Sequence, residues 1–170
     1  AAPKNYDYQP LVDPLVEMVK RRDDCGLIIR LHPRSEPTQY EQLGRELQAI
    51  GKGGRMHHFS LADFLADTDY MVAGPSSTTH WAWVMGVRPF CWLSTELTMY
   101  ADETVQMHPE IRNRWVVPKQ LVQAVEHALE DPNDDLQWRS RWRRFVDRYM
   151  TGTDGRACER IIHRLTRIAA

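Results

Sequence analysis

Hydrophobic positions along the chain follow two rhythms. Leu11, Val12, Leu15, Val16 and Val19 recur at the spacing of an amphipathic helix, with Asp13-Pro14 reading as its N-cap and first position. Gly26 to Leu31 is instead a short, nearly continuous apolar run closed by His32-Pro33, the pattern of a strand buried on both faces of a parallel sheet. A helix is expected from about Pro37 to Ile50, ended by Gly51, Gly53 and Gly54, with Met56-His57-His58-Phe59 as a second short strand. Ser60 then caps a further helix, Asp63 sits at the reciprocal capping position, and Leu61, Phe64 and Leu65 form the apolar stripe.

Tyr70 to Ala73 reads as a strand that Gly74-Pro75 breaks, and Ser76-Ser77-Thr78-Thr79 opens an apolar helix through Met85, stopped by Gly86. Val87 to Leu93 is one more buried strand, and Pro118 to Leu129 a helix with Leu121, Val122, Val125 and Leu129 inward. Two helices finish the chain, the first carrying Trp138, Trp142, Phe145, Val146 and Tyr149, the second Cys158, Ile161, Ile162, Leu165 and Ile168. Strands alternating with helices imply right-handed crossovers. The expected fold class is α/β: a Rossmann-like three-layer α/β/α sandwich with a mostly parallel sheet and its C-terminal helices packed on one side. At 170 residues the chain fits a single domain, without internal repeats.

Composition narrows the chemistry. Lys plus Arg (22) nearly balance Asp plus Glu (23), which removes any global drive toward nucleic acid, so an anion site has to be local. Cys25, Cys91 and Cys158 are odd in number and form no C-x-x-C pair, which argues against a zinc knuckle or a disulfide framework and suits a reducing cytosol. No run is long and apolar enough to cross a bilayer, so a soluble, cytoplasmic chain is expected.

The most informative segment is Ala73 to Thr79. A strand that ends in a tight turn and opens a helix leaves backbone N–H groups pointing outward beside the positive end of the helix dipole, which favours phosphate. Gly74, Ser76, Ser77, Thr78 and Thr79 are the candidate phosphate-binding residues there; the plainer alternative is that Ser76 only caps the helix. His32, Pro33 and Arg34 follow the earlier buried strand and are expected at the same carboxyl edge, His32 donating to a phosphate oxygen and Arg34, or Arg30, offsetting charge. His57-His58 makes a poor metal pair, because neighbours in a strand face opposite ways. Trp138 to Arg144 is a basic, tryptophan-containing segment that suits either contact with anionic lipid or an ordinary docked helix with its arginines in water. His108-Pro109 reads as a turn.

In order and spacing these motifs resemble the C-terminal lobe of GT-B-fold transferases, closest to CDP-glycerol glycerophosphotransferases and the capsule-type transferases that use CMP-sugars. The matching residues are Leu31-His32-Pro33, Leu65-Ala66-Asp67-Thr68-Asp69, Ser76-Ser77, Gly86-Val87-Arg88-Pro89 and Asp154-Gly155-Arg156-Ala157-Cys158-Glu159-Arg160, so the resemblance runs from about Tyr8 to Ile168. Where the family often carries Asp-Tyr before Ser-Ser and an acidic residue one turn into the following helix, this chain has Gly74-Pro75 and His80-Trp81-Ala82-Trp83.

The resemblance implies a donor-binding lobe of an enzyme of surface-polysaccharide or teichoic-acid-like polymer synthesis. His32 is its expected catalytic residue, stabilising charge on the leaving phosphate that Ser77 and the helix start hold. It further implies a CDP- or CMP-linked donor, no obligatory metal or other cofactor, and a polysaccharide or lipid-linked acceptor. That acceptor would be bound through an N-terminal lobe that these residues do not supply, with possible peripheral contact at the inner face of the membrane. Ala1-Ala2-Pro3 reads as the tail of the lobe's first strand, so residues 1–170 are expected to be an excised lobe that binds nucleotide without turnover. The alternatives are a UDP-N-acetylglucosamine 2-epimerase-like or UDP-sugar transferase lobe, and a non-catalytic scaffold that binds protein through its Trp-rich surface.

Overall fold

The computed structural model describes residues 8–31, 38–56, 60–74, 76, 78–93, 114–115, 117–149, 156 and 159. Among them the order is α1 (Gln9–Arg21), β1 (Leu27–Ile29), α2 (Thr38–Ala49), β2 (Gly53–Met56), α3 (Leu61–Ala66), β3 (Tyr70–Ala73), α4 (Thr78–Val84), β4 (Arg88–Trp92), β5 (Arg114–Trp115), α5 (Pro118–Glu130) and α6 (Pro132–Tyr149). The protein is therefore α/β. Every strand pairing among the described residues is parallel, in two ladders, β1-β2 and β3-β4-β5.

Strand alternation sends successive side chains into two cores. Tyr70 and Val72 of β3, with Leu27 and Ile29 of β1 and Phe90 and Trp92 of β4, pack among Leu15, Val16 and Val19 of α1 and Leu121, Val122 and Val125 of α5. Met71 and Ala73, with Ile28, face the other way onto Phe64 and Leu65 of α3 and Ala82 of α4. Pro89 and Cys91 lie between buried neighbours, so all five residues of β4 are buried, Arg88 included. A third cluster docks α6 on α4, with Phe145 against Trp83 at 5.0 Å between ring centroids.

Several local expectations change. The first helix starts at Gln9 rather than at Pro14: the Tyr8 carbonyl accepts from both Leu11 and Val12, and Pro10 occupies the first turn, where a missing N–H is harmless. Pro14 consequently lies inside the helix. The second strand is Gly53–Met56, earlier than expected, so Gly53 and Gly54 begin a strand instead of ending a helix. Gly53 has φ +101°, and a Cβ there would lie 2.6 Å from the Leu27 carbonyl oxygen; the close approach of β2 to β1 requires its bare backbone. Gly86 (φ +76°) ends α4 and leaves room for the Trp142 ring.

Asp63 does not complete the expected capping box. Ser60 Oγ accepts the Asp63 N–H at 3.2 Å, but the Asp63 carboxylate accepts the Ser60 hydroxyl at 2.6 Å, being one methylene short of the glutamate that reaches back to the cap N–H. Ser60→Ala is expected to cost about 1 kcal/mol, read as a lowered urea midpoint.

The β5 strand was not foreseen; it has two residues, too few to show a period. Trp138 is 3% exposed, and Trp142 stacks on it and donates Nε1–H to the Trp83 carbonyl at 2.6 Å, so the tryptophans of α6 serve its docking while Arg143 and Arg144 stay exposed. The last expected helix, from Cys158, falls almost wholly outside the described residues, as do the expected strand positions His57 to Phe59 and the His108-Pro109 turn. No helix among the described residues is long and apolar enough to cross a membrane, and Cys25 is a free thiol.

Candidate functional site

The strand-turn-helix junction after β3 forms where the sequence places it. Pairing of β3 with β4 ends at Ala73 and Cys91, the chain passes through buried Gly74, and Ser76 reaches the start of α4. Ser76 Oγ accepts the Thr78 N–H at 3.2 Å and lies 2.9 Å from Thr78 Oγ1, while the Ser76 carbonyl accepts the Thr79 N–H at 3.1 Å. Two backbone N–H groups at the helix start are thus satisfied by Ser76. Two hydroxyls joined by one hydrogen bond use one proton between them, so a second O–H remains at this half-buried pair to donate elsewhere.

Thr79 points away from that pair. It is 5% exposed, and its Oγ1 lies 3.7 Å from Cys91 Sγ, beneath α4. Of the four expected hydroxyls, Ser76 and Thr78 come together and Thr79 belongs to the core side. Pro75 and Ser77 lie outside the described residues, as do His32, Pro33 and Arg34.

The chain enters the His32 segment from the carboxyl end of β1, where Arg30 is half-buried and its Nε is buried without a hydrogen-bond partner among the described residues. Arg30 directly follows Ile29, the last residue of β1. No group of three or more His, Cys, Asp or Glu side chains suited to a metal ion occurs among the described residues.

A second polar constellation, which the sequence reading did not single out, lies at the amino ends of β3 and β4. Arg88 is 5% exposed within an otherwise apolar strand, lies over the Phe90 ring at 5.1 Å, and has Nη2 2.7 Å from Asp134 Oδ2 at the start of α6. Beside it Tyr70 donates its hydroxyl to the Ala128 carbonyl at 3.2 Å, and burial raises its pKa above the ordinary phenol value, so it stays a neutral donor. The available signal was Arg88 itself, since a charge in a run of buried positions demands a partner.

Compared with known proteins, the chain matches no family model, no curated protein and no solved structure.

Proposed function

We propose that the chain is the nucleotide-binding lobe of a two-lobed, GT-B-type transferase that takes a nucleotide-activated sugar or polyol and works on the cytoplasmic side of the membrane. The observation that carries this reading is the Ser76–Thr78 hydroxyl pair at the carboxyl end of parallel strand β3, with one O–H left to donate at the start of α4. Such a pair offers a phosphate oxygen a hydrogen bond without bulk.

Two further features support it. Leu27 and Ile29 share one core with Tyr70 and Val72, and Ile28 shares the other with Met71. These shared faces fit a Rossmann-like sandwich of strand order β2-β1-β3-β4-β5, in which ligands bind at the carboxyl edge where the order reverses between β1 and β3. His32 follows β1 and Ser76 follows β3, so both flank that crevice in the proposed arrangement. The unpartnered Arg30 Nε would add positive charge on the same side. In this reading Ser77 and the hydroxyl pair hold the leaving phosphate while His32 stabilises its growing charge, and catalysis is largely positional.

Titration with CDP, CMP and UDP, followed through tryptophan emission, tests the reading. Cytidine nucleotides are expected to bind more tightly than UDP. Ser77→Ala and Thr78→Val, each removing one hydroxyl, are expected to weaken that binding by about 0.5–3 kcal/mol with unchanged thermal midpoints. Preference for UDP would move the assignment to the UDP-dependent lobes, and absence of binding to all three would leave a protein-binding scaffold.

A further inference from the structure

Docking decides which side of α6 faces water. Trp138 and Phe145 are buried against Trp83, and Trp142 stacks on Trp138. Leu136, Ser140, Arg143, Arg144 and Asp147 recur at helical spacing on the opposite side, and all are exposed. Arg139 is held by Asp135 at 2.6 Å, but neither Arg143 nor Arg144 has an ion-pair partner among the described residues; Arg144 reaches only the Ser140 hydroxyl, at 3.3 Å. Half-buried Arg141 flanks them, equally without a carboxylate among the described residues, and Asp147, the one acid in the second half of the helix, pairs with none of the three. Elsewhere charges are matched: Arg21 with Glu126, Arg22 with Asp24 and Glu130, and Lys52 with Asp23.

Chemistry narrows the partner. A chain of net charge -1 that concentrates three cations between Arg141 and Arg144 attracts an anion locally, not globally. All three are arginine, whose planar fork suits a phosphate. A nucleic acid would gain from rings on which its bases stack, but Trp138 and Trp142 are engaged in docking. What this face offers beside its arginines is Leu136, 63% exposed and two turns before Arg143. An aliphatic side chain next to unmatched arginines fits a lipid headgroup layer, where the cations meet phosphates and the leucine reaches the acyl boundary.

We propose that the outward face of α6 docks on an anionic lipid bilayer through Arg143, Arg144 and Leu136, with Arg141 at its flank. The contact is electrostatic and reversible, and it does not rest on the nucleotide reading.

The test sediments the full chain with vesicles of phosphatidylcholine alone and of phosphatidylcholine with about 30% phosphatidylglycerol. Binding is expected to the anionic vesicles and not to the neutral ones, and to vanish at about 0.5 M salt. Arg143→Gln/Arg144→Gln is expected to weaken the partition about 10- to 30-fold, and Leu136→Ser about 3-fold, with unchanged thermal midpoints because all three positions are exposed. Lys20→Gln/Lys119→Gln makes the same change of net charge at exposed positions of α1 and α5, and is expected to bind like the wild type. Polyuridylate at equal phosphate concentration is expected to bind more weakly than the anionic vesicles. No sedimentation with anionic vesicles, equal sedimentation with neutral ones, an unchanged partition in the arginine variant, or a loss as large in the lysine variant overturns the proposal. Tighter binding to polyuridylate makes this face a nucleic-acid contact and overturns it as well.

Discussion

Asp134→Ala is expected to destabilise the fold by about 3–5 kcal/mol, the cost of leaving a buried charge without its counter-ion. The side chain of Arg88 is only 6% exposed, and Asp134 is its one ion-pair partner among the described residues. Its Nε and Nη1 are already unbonded, so removing the carboxylate would leave the whole guanidinium with little more than the Phe90 ring face. The two partners are not equivalent. The Asp134 side chain is 20% exposed and sits in the first turn of α6, where the helix dipole favours a carboxylate, so it tolerates isolation better than Arg88 does.

Arg88→Met is therefore expected to cost clearly less than Asp134→Ala, and the Arg88→Met/Asp134→Ala double variant to recover part of the single Asp134 loss. Urea denaturation of the wild type and the three variants closes the cycle. A loss below about 1 kcal/mol for Asp134→Ala would mean that water reaches the guanidinium, and the pair would then be an ordinary surface contact.

Trp83→Ala is expected to cost about 3–5 kcal/mol as well, from lost transfer energy and the cavity left behind. Trp83 is 1% exposed and lies where α4 meets α6, with Phe145 at 5.0 Å and Trp138 at 6.0 Å between ring centroids. Its backbone carbonyl also receives the Trp142 indole N–H, a bond that survives only if α4 and α6 stay together. Trp83→Phe separates packing from polarity. The Trp83 Nε1 is buried with no partner among the described residues, so phenylalanine loses ring volume but removes an unsatisfied donor. The Phe variant should thus retain most of the stability that the Ala variant loses. Near-ultraviolet circular dichroism, to which the packed Trp83, Trp138 and Trp142 group contributes, should weaken in Trp83→Ala; an unchanged spectrum and midpoint would remove α6 docking from this ring.

How much of this was legible in the sequence differs between elements for physical reasons. β3, β4 and α5 are set by periodicity and clear stop signals, and they appear within a residue or two of their expected bounds. The start of α1 was misplaced because two prolines compete for the first-turn position, and only the Tyr8 carbonyl, a tertiary-level detail, decides between them. β2 was displaced because Gly53 and Gly54 look like a helix stop, whereas the approach of a neighbouring backbone is what requires Gly53.

At the candidate site, a Ser-rich turn between a strand and a helix was readable, but the division of labour within it was not. Side-chain direction depends on where the turn closes, which is why Thr78 joins Ser76 while Thr79 turns to Cys91. The Arg88 constellation escaped notice because Asp134 is 46 residues away and nothing local pairs the two.

The packing of α1 against α5 has a consequence for how the protein is made. The stripe of Leu11, Leu15, Val16 and Val19 finds Leu121, Val122 and Val125 only across about a hundred residues of intervening chain, and Arg21 and Arg22 meet Glu126 and Glu130 across the same span. During synthesis α1 therefore has Leu27 and Ile29 of β1 as early partners, while its α5 partners follow only about a hundred residues later. Closing so distant a contact is slow relative to local helix formation. The α1–α5 seam is consequently expected to close late in folding, after the local helices and the β1–β2 ladder have formed.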